Sequence, residues 1–440
     1  MKRKFAFIGA GSLGFTRNLV RDILSFTAFQ DCEIALMDVD AKRLEYSKMG
    51  IENIIAAGKY PATVIATTDR REALKDADGV LITILQGGLD VWRKDIEIPE
   101  KYGVDICIGD TRGPSGIFRF LRTAPEMLNI IRDAEELCPN AIILNYTNPM
   151  SMLVNYLQCN TNLSVTGLCH SVQGTAEMLA RWIGAKPEEV EYTCAGINHE
   201  AFYLDFKYNG QDAYPLIKEA TKRDEVWNEE RIRIEMYKYL GYFPTESSGH
   251  NSEYYAWFRK RQDIIDNLCQ GTSWNPGEHA YLINYYLERD ATWEKDYLDS
   301  LKEEVDLKKG YEYASDIFNA IFGDKTPFKF NANLRNHNYI TNMGEGVGVE
   351  VPAIADENGI RANGQVTLPQ HLAVMIGYAS GIEQLAVSAA LEGDPQKVFQ
   401  AILMDPLTSA VCSMEEIHNM VQEMFDANAP YLGYFKTLKI

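Results

Sequence analysis

The stretch KFAFIGAGSLG, residues 4–14, restricts this chain to a narrow group of folds. A short apolar run reads as a buried strand, and Gly9, Gly11 and Gly14 follow it in a G-x-G-x-x-G arrangement, ahead of the helix pattern LGFTRNLVRDILSF. Glycines at these spacings permit a tight strand-to-helix turn. They also let backbone N–H groups and the helix N-terminus approach a pyrophosphate, with Ser12 inside the loop. A second apolar run, EIALMDVD, ends at Asp38. A carboxylate at the tip of the second strand can take both hydroxyls of an adenine ribose, and an acid there rather than an arginine favours NAD over NADP.

The alternation continues through ATVIATTD, then GVLITIL after REALKDADG, then AIILNYTN and SVTGLCH. Strands and helices in that order predict an α/β fold whose N-terminal half is a Rossmann-type, doubly wound sheet of six strands. Gly-rich loops in ILQGGLDVWRKDIEIPEKYG and CIGDTRGPSGIFRFLR carry Asp110, Arg112 and Arg119 at strand ends, where ligands bind; a Gly-Pro turn with a capping Asp is the blander reading.

Between residues 141 and 200, the segments AIILNYTNPM, GLCHSVQG and CAGINHE each open on an apolar run and close on polar residues. Asn148, Cys169, His170, Asn198 and His199 are therefore expected around one crevice. A thiolate from Cys169 and an imidazole from His199 make a half-site for a divalent transition metal. Taken alone, such a pair is more often a buried thiol and a hydrogen-bonded imidazole.

At 440 residues the chain is too long for one small core. Two domains are expected, a cofactor-binding one over residues 1–199 and an α+β one over residues 200–440. The second opens on a hairpin, AFYLDFKYNGQDAYPL, turning at Asn209 and Gly210, and continues through a largely helical stretch to about residue 320. Within it, GYFPTESSGHNSEYYAWFRKR collects His250, Glu253, Tyr254, Tyr255 and Trp257, either as a wall of a sugar pocket or as plain aromatic packing. GVGVEVPAIADENGIRANGQ reads as another hairpin, and LPQHLAVMIGYASGIEQLAVSAALEG as a long core helix.

A formal net charge of -19 argues against nucleic acid or an anionic membrane as a partner. The N-terminus reads as a first strand rather than a signal peptide, and no membrane span is expected. Eight cysteines without repeated spacing fit reduced thiols in a cytoplasm.

Together, FIGAGS, ALMDVD, GDTRGPSG, LRT, LNYTNPM, GLCHSVQGTAE, CAGINHEAFYL, GYFPTESSGH, EYYAWF and the MDP ending at Pro406 resemble the family 4 glycoside hydrolases, within it the α-galactosidase branch. The resemblance implies a C-terminal domain like that of lactate and malate dehydrogenases, NAD as cofactor and Mn²⁺ held by Cys169 and His199. It implies hydrolysis through oxidation at C3, loss of the C2 proton, elimination, water addition and reduction, outside the two-carboxylate scheme. By position in the motifs, Tyr254 is the base, with Tyr255 as the other candidate, and Asp110 protonates the leaving oxygen. Asn148 and His170 would hold sugar hydroxyls. Where the branch acting on 6-phospho sugars has Asp after the metal-binding Cys, this chain has His170, which implies an unphosphorylated sugar. A homodimer or homotetramer is the family's usual assembly. Family 4 α-glucosidases and α-galacturonidases are the alternatives, as is a net oxidoreductase like the lactate and malate dehydrogenases, although no matching His-Gly segment occurs.

Overall fold

The computed structural model describes residues 2–440. Six apolar runs form the parallel strands β1 (Lys4–Ile8), β2 (Glu33–Met37), β3 (Thr63–Thr67), β4 (Gly79–Ile82), β5 (Ile142–Asn145) and β6 (Val165–Gly167). Their order is β6-β5-β4-β1-β2-β3, the doubly wound arrangement. Phe5, Ala6, Phe7 and Ile8 are buried, as are Ile34, Ala35 and Leu36 beside them, because helices cover both faces. That double burial is why these strands read as unbroken apolar runs.

The sheet does not stop there. β7 (Val190–Ile197) and β8 (Glu200–Tyr208) form a hairpin, β9 (Gln211–Asp212) pairs with β8 across the turn at Asn209 and Gly210, and β10 (Phe243–Pro244) lies on the far side of β8. β11 (Phe328–Arg335), β12 (Gly348–Asp356) and β13 (Gly359–Ala362) come much later in the chain. Yet β11 and β12 lie between β6 and β7, joined through Asn333 opposite Gly167 and Glu350 opposite Gly196. One sheet thus runs through the molecule, and residue 199, the expected division, is the tip of the β7–β8 hairpin.

The helix Gln370–Glu392, expected as a long core helix, buries one stripe of its surface. Leu372, Ile376, Ser380, Glu383, Ala386 and Val387 form a buried stripe, while Val374 and Tyr378 are 70% and 49% exposed. It is long and apolar enough to cross a membrane by length and composition, a test that the core helix of a globular protein also meets. Here it packs against the helices Met150–Gln158 and Pro395–Leu403, with Glu383 turned inward.

The helix Gly113–Leu137 carries Arg119 toward the crevice and is anchored by a fully buried ion pair. Arg122 Nη1 lies 2.5 Å from Asp95 Oδ2, and Asn428 bridges the two, accepting from Arg122 at 3.2 Å and donating to Asp95 at 3.0 Å. Replacing Arg122 by Met would leave Asp95 and its bridging amide buried without their cation. We expect Arg122→Met to lose about 3–5 kcal/mol of stability in urea unfolding, and the double variant with Asp95→Leu to recover part of it.

Candidate active site

All six parallel strands point their C-terminal ends at one crevice, where the order switches between β1 and β4. Gly9 leaves β1 at φ +95°, and a Cβ there would sit 2.4 Å from the Thr83 carbonyl oxygen. At Gly11 a Cβ would lie 2.7 Å from the Asp38 carboxylate, which instead accepts the Gly11 N–H at 2.7 Å. The other Asp38 oxygen accepts the Asp40 N–H at 2.9 Å, so the carboxylate is fixed with lone pairs to spare. Ser12 turns its hydroxyl back to the Gly9 carbonyl, and no side chain caps the helix Leu13–Leu24. Its first N–H groups are therefore free for an anion, and no side chain encroaches at Gly14.

Cys169 follows β6 and His199 occupies the hairpin tip at φ +64°, a left-handed conformation that costs about 1–2 kcal/mol for a residue with a Cβ. Arg112 helps hold that tip by donating from Nη2 to the Asn198 carbonyl at 2.8 Å. The side chains converge, with His199 Nε2 3.2 Å from Cys169 Sγ. A carboxylate that the sequence reading left out joins them: Glu246 Oε1 is also 3.2 Å from Nε2.

A short relay sets which imidazole nitrogen is bare. Thr111 donates its hydroxyl proton to Asp110 at 2.7 Å, and Thr111 Oγ1 lies 3.0 Å from His199 Nδ1. The threonine oxygen is then an acceptor, so Nδ1 carries the proton and Nε2 faces the sulfur and the carboxylate as a lone pair. Burial, then Glu246, pushes the Cys169 thiol well up, and burial holds the His199 imidazolium down to about 4. A soft sulfur, an imidazole and a carboxylate are a donor set for a divalent transition metal, whose binding would displace the thiol proton.

The two adjacent tyrosines part company. Tyr254 is buried with its hydroxyl 3.4 Å from His199 Nδ1, and the Arg112 guanidinium stands 4.7 Å over its ring. Arg112 is itself held by Glu200 at 3.6 Å and Glu383 at 3.1 Å, and Ser151 donates to Glu383 at 2.6 Å. Tyr255 instead stacks on Trp257, ring centroids 4.8 Å apart, with its hydroxyl toward Glu200.

Asp110 accepts from Asn148 Nδ2 at 3.0 Å and lies 3.5 Å from His250 Nε2. Burial would raise its carboxyl, but the hydrogen bond and charge of His250 outweigh it and hold Asp110 well below the usual range. Burial would lower His250, yet Glu246 and Asp110 lift it to about 9. With those opposite shifts the proton of the pair rests on His250, and Asp110 accepts from it.

His170, next to Cys169, pairs with Glu312. Its Nε2 is 2.7 and 2.8 Å from the two Glu312 oxygens, and its ring stacks on Tyr146 and Tyr311 with Phe15 against its edge. Phe15 belongs to the helix after the glycine loop, so His170 faces that side of the crevice with Nε2 committed to Glu312. Thr111, Glu200, Glu246, Glu312 and Glu383 were not singled out from sequence. Thr111, Glu200 and Glu246 lie inside the motifs and Glu383 in the long helix read from sequence, but a lone hydroxyl or carboxylate has no periodicity to betray it.

Residues 4–185 match the profile of the family 4 glycosyl hydrolases, and residues 194–408 match that of the family 4 C-terminal domain. This chain is a family 4 glycosyl hydrolase. Among its family 4 relatives are two α-galactosidases, each 36% identical to it: that of Rhizobium meliloti (strain 1021), over 98% of this chain and 89% of the relative, and that of Bacillus subtilis (strain 168), over 99% and 100%. In structure it is similar to a 6-phospho-α-glucosidase from gut microorganisms solved with NAD and Mn²⁺, with a TM-score of 0.80 at 21% identity over 98% of this chain and 99% of that one.

Proposed function

We propose that this glycosidase cleaves terminal α-galactosides of unphosphorylated sugars, with NAD and a divalent cation, Mn²⁺ in the first instance, taking part without net redox change. One observation carries the reading: a chain similar over its full length to α-galactosidases brings Cys169, His199 and Tyr254 together at the strand ends that also bear the glycine loop.

Gly9, Gly11, Ser12, Gly14 and the free helix N-terminus would cradle the pyrophosphate, and Asp38 the ribose hydroxyls. Cys169 and His199 would hold the cation. When bound, NAD and the cation would supply reversible hydride abstraction at C3 and Lewis-acid polarisation of the neighbouring sugar oxygens. Tyr254 would take the C2 proton on its phenolic oxygen; burial pushes that phenol well up, and the Arg112 guanidinium over its ring opposes the rise. The proton for the leaving oxygen is held in the Asp110–His250 pair. Asn148, fixed by Asp110 and by Arg119 Nε on its carbonyl at 3.3 Å, would orient a sugar hydroxyl.

The test is a panel of nitrophenyl α-galactoside, α-glucoside and α-galacturonide with their 6-phosphates, each with and without NAD⁺, Mn²⁺ and a thiol. We expect galactoside hydrolysis that needs both NAD⁺ and metal and leaves no NADH behind. Rates untouched by stripping both, or NADH building up with each turnover, would overturn the reading. A narrower prediction concerns the cofactor: the methyl added by Gly11→Ala would occupy the place of the Asp38 carboxylate. NAD⁺ affinity measured by calorimetry should fall about tenfold or more, the loss of roughly 1.4 kcal/mol.

A further inference from the structure

We propose that Glu246 is a third protein ligand of the cation held by Cys169 and His199, an assignment that rests on the metal reading above. Sγ, Nε2 and a Glu246 oxygen all lie within 4.8 Å of one another, with both distances from Nε2 at 3.2 Å. Ligands at about 2.1 Å for nitrogen and oxygen and about 2.3 Å for sulfur in a tetrahedral set stand roughly 3.5 Å apart. One cation therefore fits between the three after a small outward movement.

His199 also belongs to a second cluster, with Asp110 and His250, and the hydrogen bonds decide between the two. In that cluster the donors satisfy one another: Thr111 lies against Nδ1, His250 Nε2 faces Asp110, and His250 Nδ1 is 2.8 Å from Ser247 Oγ. On the Nε2 side the thiol points its proton at Ser171 Oγ, 3.3 Å away, so the sulfur presents lone pairs to a bare nitrogen. Glu246 completes the set with a carboxylate whose side chain is 17% exposed and to which no N–H or O–H donates among the described residues. Three electron-pair donors facing one another largely out of water repel unless a positive charge lies between them, and His250, whose Nδ1 is 4.0 Å from the other Glu246 oxygen, is not between them. Glu246 is held in that place at φ +66°, left-handed like His199.

The assignment changes the chemistry of the site. Thiolate and carboxylate together neutralise a divalent ion, and three protein ligands leave room for two adjacent sugar oxygens. Adding a hard oxygen to the sulfur and nitrogen shifts preference toward Mn²⁺ and away from Zn²⁺.

The test uses chelator-stripped full-length protein titrated with Mn²⁺ alone, the free aquo ion being followed by electron paramagnetic resonance. Wild type should take up one Mn²⁺ per chain. Glu246→Gln should weaken that binding by one to two decades, roughly what lost ligand support costs a metal site, and Glu246→Asp by less. With Co²⁺ instead, Glu246→Gln should keep the thiolate charge-transfer band of Cys169, which also reports an intact fold, while its ligand-field bands shift. Wild-type Mn²⁺ affinity and unchanged Co²⁺ bands in Glu246→Gln would sink the assignment and leave the Cys169–His199 site standing. Wild type that binds neither ion would sink the metal reading itself.

Discussion

Cys169→Ser is expected to cut turnover of an α-galactoside by about a thousandfold or more at saturating Mn²⁺. A serine hydroxyl does not deprotonate at a cation as a thiol does, and Lewis-acid catalysis contributes several kcal/mol, each 1.4 of which is a factor of ten. The same variant should bind NAD⁺ as wild type does, because Gly9, Gly11 and Asp38 are organised by contacts among β1, β2 and β4 that do not involve the sulfur. Calorimetry of NAD⁺ binding beside steady-state rates separates the two sites. A loss of less than tenfold would mean that Cys169 is a packing residue and that the chemistry runs elsewhere.

Tyr254→Phe should lower kcat by 10²–10⁴, the usual share of a positioned general base, and Tyr255→Phe by less than tenfold. The two residues are neighbours of equal chemistry, so the contrast isolates position. Only Tyr254 reaches His199, and only Tyr254 has Arg112 over its ring. Deuterium at C2 of the sugar supplies a second reading, since removing the base makes that proton transfer slower and its isotope effect on kcat larger. Equal losses in the two variants would assign the base to neither. Urea unfolding of both proteins guards against a packing defect.

Apart from the partly exposed edge strand β3, the first six strands were legible because parallel strands buried on both faces have to be apolar throughout, and because the turn after β1 leaves no space for a Cβ at Gly9. The rest was hidden for reasons of a different kind. β11, FKFNANLR, alternates as a half-exposed strand does, and nothing local says that its partner is β6, which ends at Gly167. The choice between Tyr254 and Tyr255 depends on which way a short helix ends at residues 254 and 255. His170 stood in the motif next to Cys169, but its orientation is decided by Glu312 and Tyr311, which are remote in sequence. The proton of the Asp110–His250 pair follows from two side chains meeting across the site, which spacing along the chain cannot express.

The insertion of β11 and β12 between β6 and β7 also fixes an order of events at the ribosome. The strands that flank the glycine loop are made before residue 83, whereas the strands that bridge Cys169 to His199 are complete only at Asp356. At 5–20 residues per second that is an interval of roughly tens of seconds. The sugar end of the crevice, where His199 is held against Cys169, is therefore the last part of the site to be assembled.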